Sequence, residues 1–331
     1  MDSCHAFSAR TGSILTESTP SDMRPFCQDV LRGLRSFQKK IPSKYLYDAR
    51  GSQLFDEICE LDEYYPTRVE SQMMQQHGAK MARCLGEEIV LVELGSGSSA
   101  KTRILLDHLN KLVAYLPVDI SASHLHKAAR GIQAAYPAID VHPVVADFMD
   151  ALSLPPRYAE RAVCTYFPGS TIGNLEISEA CRLLKNIRTM SGQRGGLLVG
   201  FDLQKDVRVL HRAYNDSKGV TAAFNLNVLQ RINRELDADF DLSKFKHLAF
   251  YNPDDGRIEI YIESLCDQTV IVAGREFHFS RHERILTEYS HKYTIDGFAT
   301  LAQEAGFLMR NVWTDDERLF AVAYLQASGG E

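Results

Sequence analysis

Apolar and polar positions fall along this chain in blocks whose period changes several times. Phe26, Val30, Leu31, Leu34 and Phe37 recur at three- and four-residue spacing, which predicts a helix from about Met23 to Lys40. Ser52 is expected to cap a second helix that carries Leu54, Phe55 and Ile58. "DEYYPTR" reads as a turn, because Pro66 disfavours helical backbone at the residue before it. A further helix is predicted from about Thr67 to Leu85.

A regular beat follows. "EIVLVELG" is a continuous apolar run, as a strand covered on both faces requires. Helical spacing from about Ser99 to Asn110 comes next, then the strand "AYLPVDIS", a helix from Ala122 to Ala135 and the strand "IDVHPVVADF". "RAVCTYFPGS" is a fourth strand, a helix runs from about Ile177 to Met190, and "GGLLVGFDL" is a fifth strand. Such alternation implies a parallel sheet with right-handed crossovers. The beat stops between about 206 and 293. There "AAFNLNVLQRINREL" is an amphipathic helix, and "RIEIYIESL" and "TVIVAGREFHF" look like antiparallel strands around an Ala-Gly-Arg turn. It resumes with "IDGFATLAQEAG", a helix closed by Gly306, and two final strands, "FLMRNVWTD" and "RLFAVAYLQA". The expected organisation is a flexible tail (1–22), a main α/β domain (23–205 plus 294–331) and an inserted α+β unit (206–293) that recognises the substrate.

Composition narrows the class. The chain has 331 residues, 45% hydrophobic and 24% charged, with a net charge of −6. An acidic balance without a basic stripe argues against a nucleic-acid surface. Seven scattered cysteines with no C-x-x-C pair fit a reducing cytoplasm better than a disulfide framework. No apolar run is long enough to span a membrane. The eleven histidines and the cysteines show no metal-ligand spacing, so no metal is expected.

Candidate chemistry begins at "VELGSGSSAKT", where Gly95-Ser96-Gly97 follows a strand and opens a helix. Open α/β sheets bind nucleotides at such a turn. Position 100 is Ala and position 101 Lys, so the third glycine of the dinucleotide fingerprint is absent, and no Walker pattern fits. Asp119 ends the second strand, where an acid can accept both ribose hydroxyls. Asp147 and Phe148 end the third, where an acid can bond an adenine amino group while the ring packs on the base. Together these suggest a nucleoside without a diphosphate, S-adenosylmethionine (SAM). Glu93 could reach the methionine ammonium or hold the loop. Lys101 could pair with the methionine carboxylate or lie on a helix surface. The C-terminal helix–strand–strand, with "EAGF" before the sixth strand, is the usual ending of Rossmann-like class I SAM-dependent methyltransferases.

The methyl acceptor should sit at the end of the fourth strand, "YFPGSTIGNLE". Gly169 and Gly173 allow close backbone approach there, and Asn174 offers an amide donor and acceptor. The insertion adds Tyr214 and Phe224, and in "LTEYSHKYT" the residues Glu288 and Ser290 lie two apart. On an extended segment they share one face and can bind a donor ring such as imidazole or indole.

"KYLYDARGSQLFDEICELDEYYPTR", "VELGSGSSAKT", "FPGSTIGNL", "RAYNDSKGVTAAFN", "NRELDADFDL" and "TEYSHKY" together resemble the histidine-specific Nα-methyltransferases of ergothioneine biosynthesis. Relatives in that family act on tryptophan or dimethylallyltryptophan. The similarity covers nearly the whole chain after about residue 25. It implies SAM-dependent trimethylation of L-histidine to hercynine; a cytoplasmic protein acting as a monomer is expected. It also implies roles for particular residues. Asn174 and Tyr214 would hold the substrate carboxylate, and Tyr64 would approach the imidazole. Glu288 and Ser290 would bond the imidazole nitrogens, and Gly169 would line the amine position. Tyr47 and Phe55 would close the pocket near the methyl donor. On the cofactor side Gly95, Lys101, Asp119, Asp147 and Phe148 fall on the family's binding positions. Ile260 departs from the Met of histidine-specific members, where the residue packs on the substrate ring. Tryptophan is therefore kept as the alternative substrate, and a non-catalytic SAM-binding protein as the alternative from another class.

Overall fold

The structure, a computed structural model, describes residues 23–97 and 99–328. The expected tail, 1–22, lies outside the described residues. Three helices come first: α1 (Met23–Leu34), α2 (Ala49–Cys59) and α3 (Tyr65–Leu85). The α/β part follows as β1 (Val90–Leu94), α4 (Ala100–Leu106), β2 (Ala114–Asp119), α5 (Ala122–Ala135), β3 (Asp140–Val141), β4 (Val144–Val145), β5 (Val163–Phe167), α6 (Ile177–Ser191) and β6 (Gly196–Asp202). Next come α7 (Val207–Tyr214), α8 (Val220–Leu236) and five strands: β7 (Phe245–Asn252), β8 (Arg257–Ser264), β9 (Gln268–Val272), β10 (Arg275–Phe279) and β11 (Arg284–His291). The chain ends with α9 (Ile295–Glu304), β12 (Phe307–Thr314) and β13 (Phe320–Ala327).

The main sheet runs in the order β12-β13-β6-β5-β1-β2-β3, with β4 also on β2. Strands β1 to β6 pair in parallel, whereas β13 is antiparallel to β6 and to β12. This is a Rossmann-like α/β sheet with the inverted last strand of class I methyltransferases. Strand β1 lies between β5 and β2, so the order reverses there. The crevice outside the carboxyl ends of β1 and β5 is where such sheets bind ligands.

Alternation within β1 explains its unbroken apolar run. Val90, Val92 and Leu94 join one core, with α6 and α9, while Leu91 joins the core on the opposite face. That second core also takes in α1 to α3, α8 and the small sheet β11-β8-β7. Residues 207–291 thus leave the main sheet but share its hydrophobic core. A parallel bridge between Leu203 and Tyr293 brings the chain back beside β6.

Several local expectations need correction. Helix α1 stops at Leu34, because Lys39 to Ile41 bond to the edge of β11. Ile41 N–H donates to Leu286 O (2.8 Å), and Leu286 N–H donates to Lys39 O (2.8 Å). The cap of α2 is Asp48, whose carboxylate accepts from Gly51 N–H at 2.8 Å; Ser52 is buried one turn further in. "IDVHPVVADF" is two short strands rather than one, interrupted at Pro143, which has no N–H for a ladder. "TVIVAGREFHF" forms its own hairpin, with Ala273 and Gly274 both at positive φ in a two-residue turn. Its neighbour "RIEIYIESL" pairs instead with β7 and β11, and β7 was not foreseen.

Candidate active site

The glycine turn leaves β1 with Gly95 and Gly97 at positive φ. Asp119, at the end of β2, accepts from Gly97 N–H (3.1 Å) and Ser121 N–H (2.9 Å), leaving lone pairs on both oxygens. The Phe148 ring stands near Gly95, where an added Cβ would lie 3.9 Å away, and packs edge-on against Phe167. Ser96 is buried, and its hydroxyl has no hydrogen-bond partner among the described residues. An orphaned donor beside two acids and an aromatic ring fits a nucleoside with a polar tail.

Asp147 is more committed than its strand-end position implied. It accepts from Met149 N–H (3.0 Å) and pairs with Lys44 (3.1 Å), which sits on the short 3₁₀ helix Ser43–Leu46. Glu93 ties β1 to α4 and to β2. It accepts from Thr102 (2.6 Å) and Tyr115 in the sheet interior, and burial pushes its carboxyl up to about 7 against those two bonds. Lys101 pairs with Glu70, a fully buried carboxylate on α3. Glu70 also accepts from Gly169 N–H (2.9 Å), so it ties the cofactor helix to the loop after β5. Sequence reasoning missed Glu70. The signal was an acid set in the apolar stripe of Val69, Met73 and Met74.

That loop is tightly built. Gly169 and Ser170 are both left-handed, and Ser170 Oγ accepts from Asp202 N–H (2.9 Å). A Cβ on Gly173 would lie 2.8 Å from the His291 carbonyl, so only glycine lets β11 approach this closely. The approach brings Asn174 Nδ2 to 2.9 Å from Glu288 Oε1.

Glu288 and Ser290 on β11, and Lys292 just beyond its end, alternate onto one face. Phe55, Tyr64, Tyr214, Phe224, Ile260 and Glu288 line a cleft. Tyr47 stands behind it, edge-on to Phe55 (5.6 Å between centroids) and Phe224 (5.3 Å). Ile260 is the direct cross-strand partner of Glu288. Tyr214 and Ser290 share a 2.7 Å hydrogen bond. Glu288 is partly exposed to the cleft but otherwise surrounded by protein, and burial pushes its carboxyl up to about 8 against the pull of Lys292. Burial also holds the Tyr47 and Tyr64 hydroxyls well above the usual phenol range, so both stay protonated.

Beneath this face lies an ionic group that the sequence analysis did not anticipate. Asp202 binds Lys205 (2.7 Å), Lys292 (2.8 Å) and the Tyr65 hydroxyl (2.6 Å). Burial opposes ionisation of Asp202, but the two ammoniums prevail and hold it below its ordinary value. Lys292 follows Ser290 by two residues, so the alternation that linked Glu288 with Ser290 already pointed to it. His291, on the other face of β11, is buried, and burial pushes its pKa down to about 4.

Over residues 26–327 the chain matches the histidine-specific, SAM-dependent methyltransferase family. It belongs to that family. A histidine N-alpha-methyltransferase of Mycolicibacterium smegmatis is 43% identical over 293 residues, covering 87% of this chain and 90% of that protein. Another, from Mycobacterium tuberculosis, is 40% identical, covering 89% and 93%. An L-tryptophan methyltransferase of Psilocybe serbica is 25% identical, covering 88% and 89%. In this methyltransferase the sequence-derived cofactor residues gather at the β1–β2 crevice. Those expected to bind substrate gather at the adjoining cleft.

Proposed function

We propose that this methyltransferase transfers methyl groups from SAM to the α-nitrogen of L-histidine. Three transfers give hercynine, the first step of ergothioneine biosynthesis. The observation that carries the choice of substrate is the Glu288 carboxyl in a cleft lined mainly by apolar and aromatic side chains, joined to Asn174. An imidazole has two ring nitrogens to meet Glu288 and Ser290 and can carry a charge beside the carboxyl, whereas an indole has a single N–H and no acceptor nitrogen. In this reading 206–293 is the substrate-recognition unit. The protein works on a free amino acid as a cytoplasmic monomer, and no described helix is long and apolar enough to cross a membrane.

When bound, SAM supplies a methyl group activated by its sulfonium. Gly95, Ser96, Asp119, Asp147 and Phe148 would hold the nucleoside, with Lys101 at the carboxylate. Asn174 and Tyr214 hold the substrate carboxylate, while Glu288 and Ser290 hold the ring. Fixing both ends aligns the amine lone pair, and positioning of this kind can supply much of a rate enhancement. Neither handle changes as methyls are added, so the same pose serves three transfers. Each transfer would form one N–C bond as one S–CH₃ bond breaks, leaving S-adenosylhomocysteine, and the substrate ammonium gives up one proton before each of the three. Tyr47 remains a phenol and acts as a hydroxyl relay to water, not as a phenolate base.

Tryptophan is the second reading, favoured by Ile260 in the cleft wall. Incubation with labelled SAM and, separately, histidine, tryptophan and RNA tests the assignment. The expected product is trimethylated histidine by mass spectrometry; methylation of tryptophan or RNA instead of histidine would overturn it.

A further inference from the structure

Lys292 is wholly buried, and its three ammonium hydrogens have three partners: Asp202 Oδ2 at 2.8 Å, Ser290 Oγ at 2.8 Å and Tyr214 Oη at 2.9 Å. An ammonium only donates, so both hydroxyl oxygens must accept from it. The two hydroxyls also lie 2.7 Å apart. One of their hydrogens can fill that gap; with the Ser290 hydrogen there, the Tyr214 O–H is left to point into the cleft that Tyr214 lines. The ammonium therefore sets the polarity of the pair, which presents an outward O–H donor.

The charges in this group do not cancel. Lys205 and Lys292 share the single carboxylate of Asp202, and all three side chains are at most 6% exposed. With both lysines protonated, the group carries one positive charge in excess behind Tyr214. Of the neighbouring acids, Asp315 acts on Lys205, and Glu288, four residues before Lys292 on the same extended segment, acts on Lys292. Neither bonds to an ammonium of the group. A buried positive charge behind a hydroxyl donor is complementary to an anion in the cleft.

We propose that Lys292, anchored by Asp202, is a positioning residue that makes the cleft selective for a carboxylate-bearing substrate by orienting Tyr214 and Ser290. The proposal rests on the reading above that Tyr214 meets the substrate carboxylate. It predicts that the site accepts an amino acid and discriminates against the corresponding amine or amide, although ring and amine are the same. Lys292 also joins the end of β6 to the strand that carries Glu288 and Ser290. It thereby fixes the distance between the two handles.

Calorimetry on the full chain saturated with S-adenosylhomocysteine tests this, with histidine, histamine and histidinamide as ligands. Wild type is expected to prefer histidine over both by about 10- to 100-fold, the worth of hydrogen bonds to a charged group. Lys292→Met leaves Asp202 paired with Lys205. It should weaken histidine by that factor, change histamine by less than about threefold, and leave S-adenosylhomocysteine affinity intact. Tyr214→Phe, which keeps the buried charges, should also lose the preference. The double variant should lose no more than either single one, because both act on one interaction. If Lys292→Met does not fold, the Tyr214→Phe ratio decides. A preserved histidine-to-histamine ratio in the folded Lys292→Met variant, or in Tyr214→Phe, overturns the inference. So does an equal loss for both ligands. Failure of wild type to bind histidine at all would instead overturn the substrate assignment.

Discussion

Asn174 donates to Glu288 across 2.9 Å, although the two residues are assigned to opposite ends of the substrate. The residue proposed to hold the substrate carboxylate thus bonds to the one proposed to hold the ring. The contact spans the loop after β5 and strand β11, so the main sheet and the small sheet meet in the site. A substrate must replace or share this bond. Asn174→Ala should therefore cost about 1–3 kcal/mol in kcat/KM for histidine, with SAM affinity unchanged. Steady-state kinetics and calorimetry check this, and an unchanged kcat/KM would remove Asn174 from the site.

Glu288 gives a pH dependence with a definite sign. Its carboxyl is raised from about 4.5 to about 8 in the folded chain, mainly by burial. Between those values the folded protein binds more protons than the unfolded chain, so stability falls as pH rises through that window. Glu288→Gln has no proton to lose. Wild type and variant should melt at similar temperatures at pH 5, and the variant should melt higher at pH 9. Parallel melting curves from pH 5 to pH 9 would show that the carboxyl titrates normally.

The parts of the fold and site legible in the sequence are those set by local pattern. Continuous apolar runs marked β1, β2, β5 and β6, because both faces of each are buried. The Gly-x-Gly turn, Asp119 and Phe148 sit at strand ends, and Glu288 and Ser290 follow from two-residue alternation. What stayed hidden depends on contacts distant in sequence. The end of α1 is decided by Leu286, more than 200 residues away. Glu70 matters because Gly169 and Lys101 converge on it, and Asp202 because Lys292 returns beside β6. No periodicity reports such convergence. The partners of Glu93, Thr102 on α4 and Tyr115 on β2, lie 9 and 22 residues away and are likewise brought to it by the fold.

Glu70 should prove important for both stability and cofactor binding. It is fully buried and satisfies the Gly169 N–H and the Lys101 ammonium. Glu70→Ala leaves both donors without that partner, and breaking a buried ion pair costs about 3–5 kcal/mol. The expected result is a lower Tm with weakened SAM binding. Glu70→Gln keeps an acceptor for Gly169 and should recover part of the stability. Chemical denaturation and SAM titration measure the two effects, and wild-type values for both in Glu70→Ala would assign the carboxylate no role in either.

Ile260 is the residue through which ring specificity can be moved. It lies directly opposite Glu288 on the neighbouring strand, and its side chain faces the cleft. Its strand, β8, is paired on both sides, with β11 and with β7, where Ile260 lies opposite Ala249. The backbone at 260 is therefore fixed, and a substitution acts through side-chain shape. Methionine is unbranched and longer, so it reaches further along the ring slot while keeping the wall apolar. A swap of this size costs less than about 1.5 kcal/mol of stability. It should disfavour the larger indole more than the imidazole, because a difference of one methylene in an apolar pocket is worth about 10-fold or more in discrimination. Ile260→Met is thus expected to lower tryptophan methylation relative to histidine by about 10-fold with little change in Tm. Competition between the two amino acids, read by product mass, measures the ratio. An unchanged ratio would mean that the ring does not rest on this wall, and that Glu288 and Ser290 alone select it.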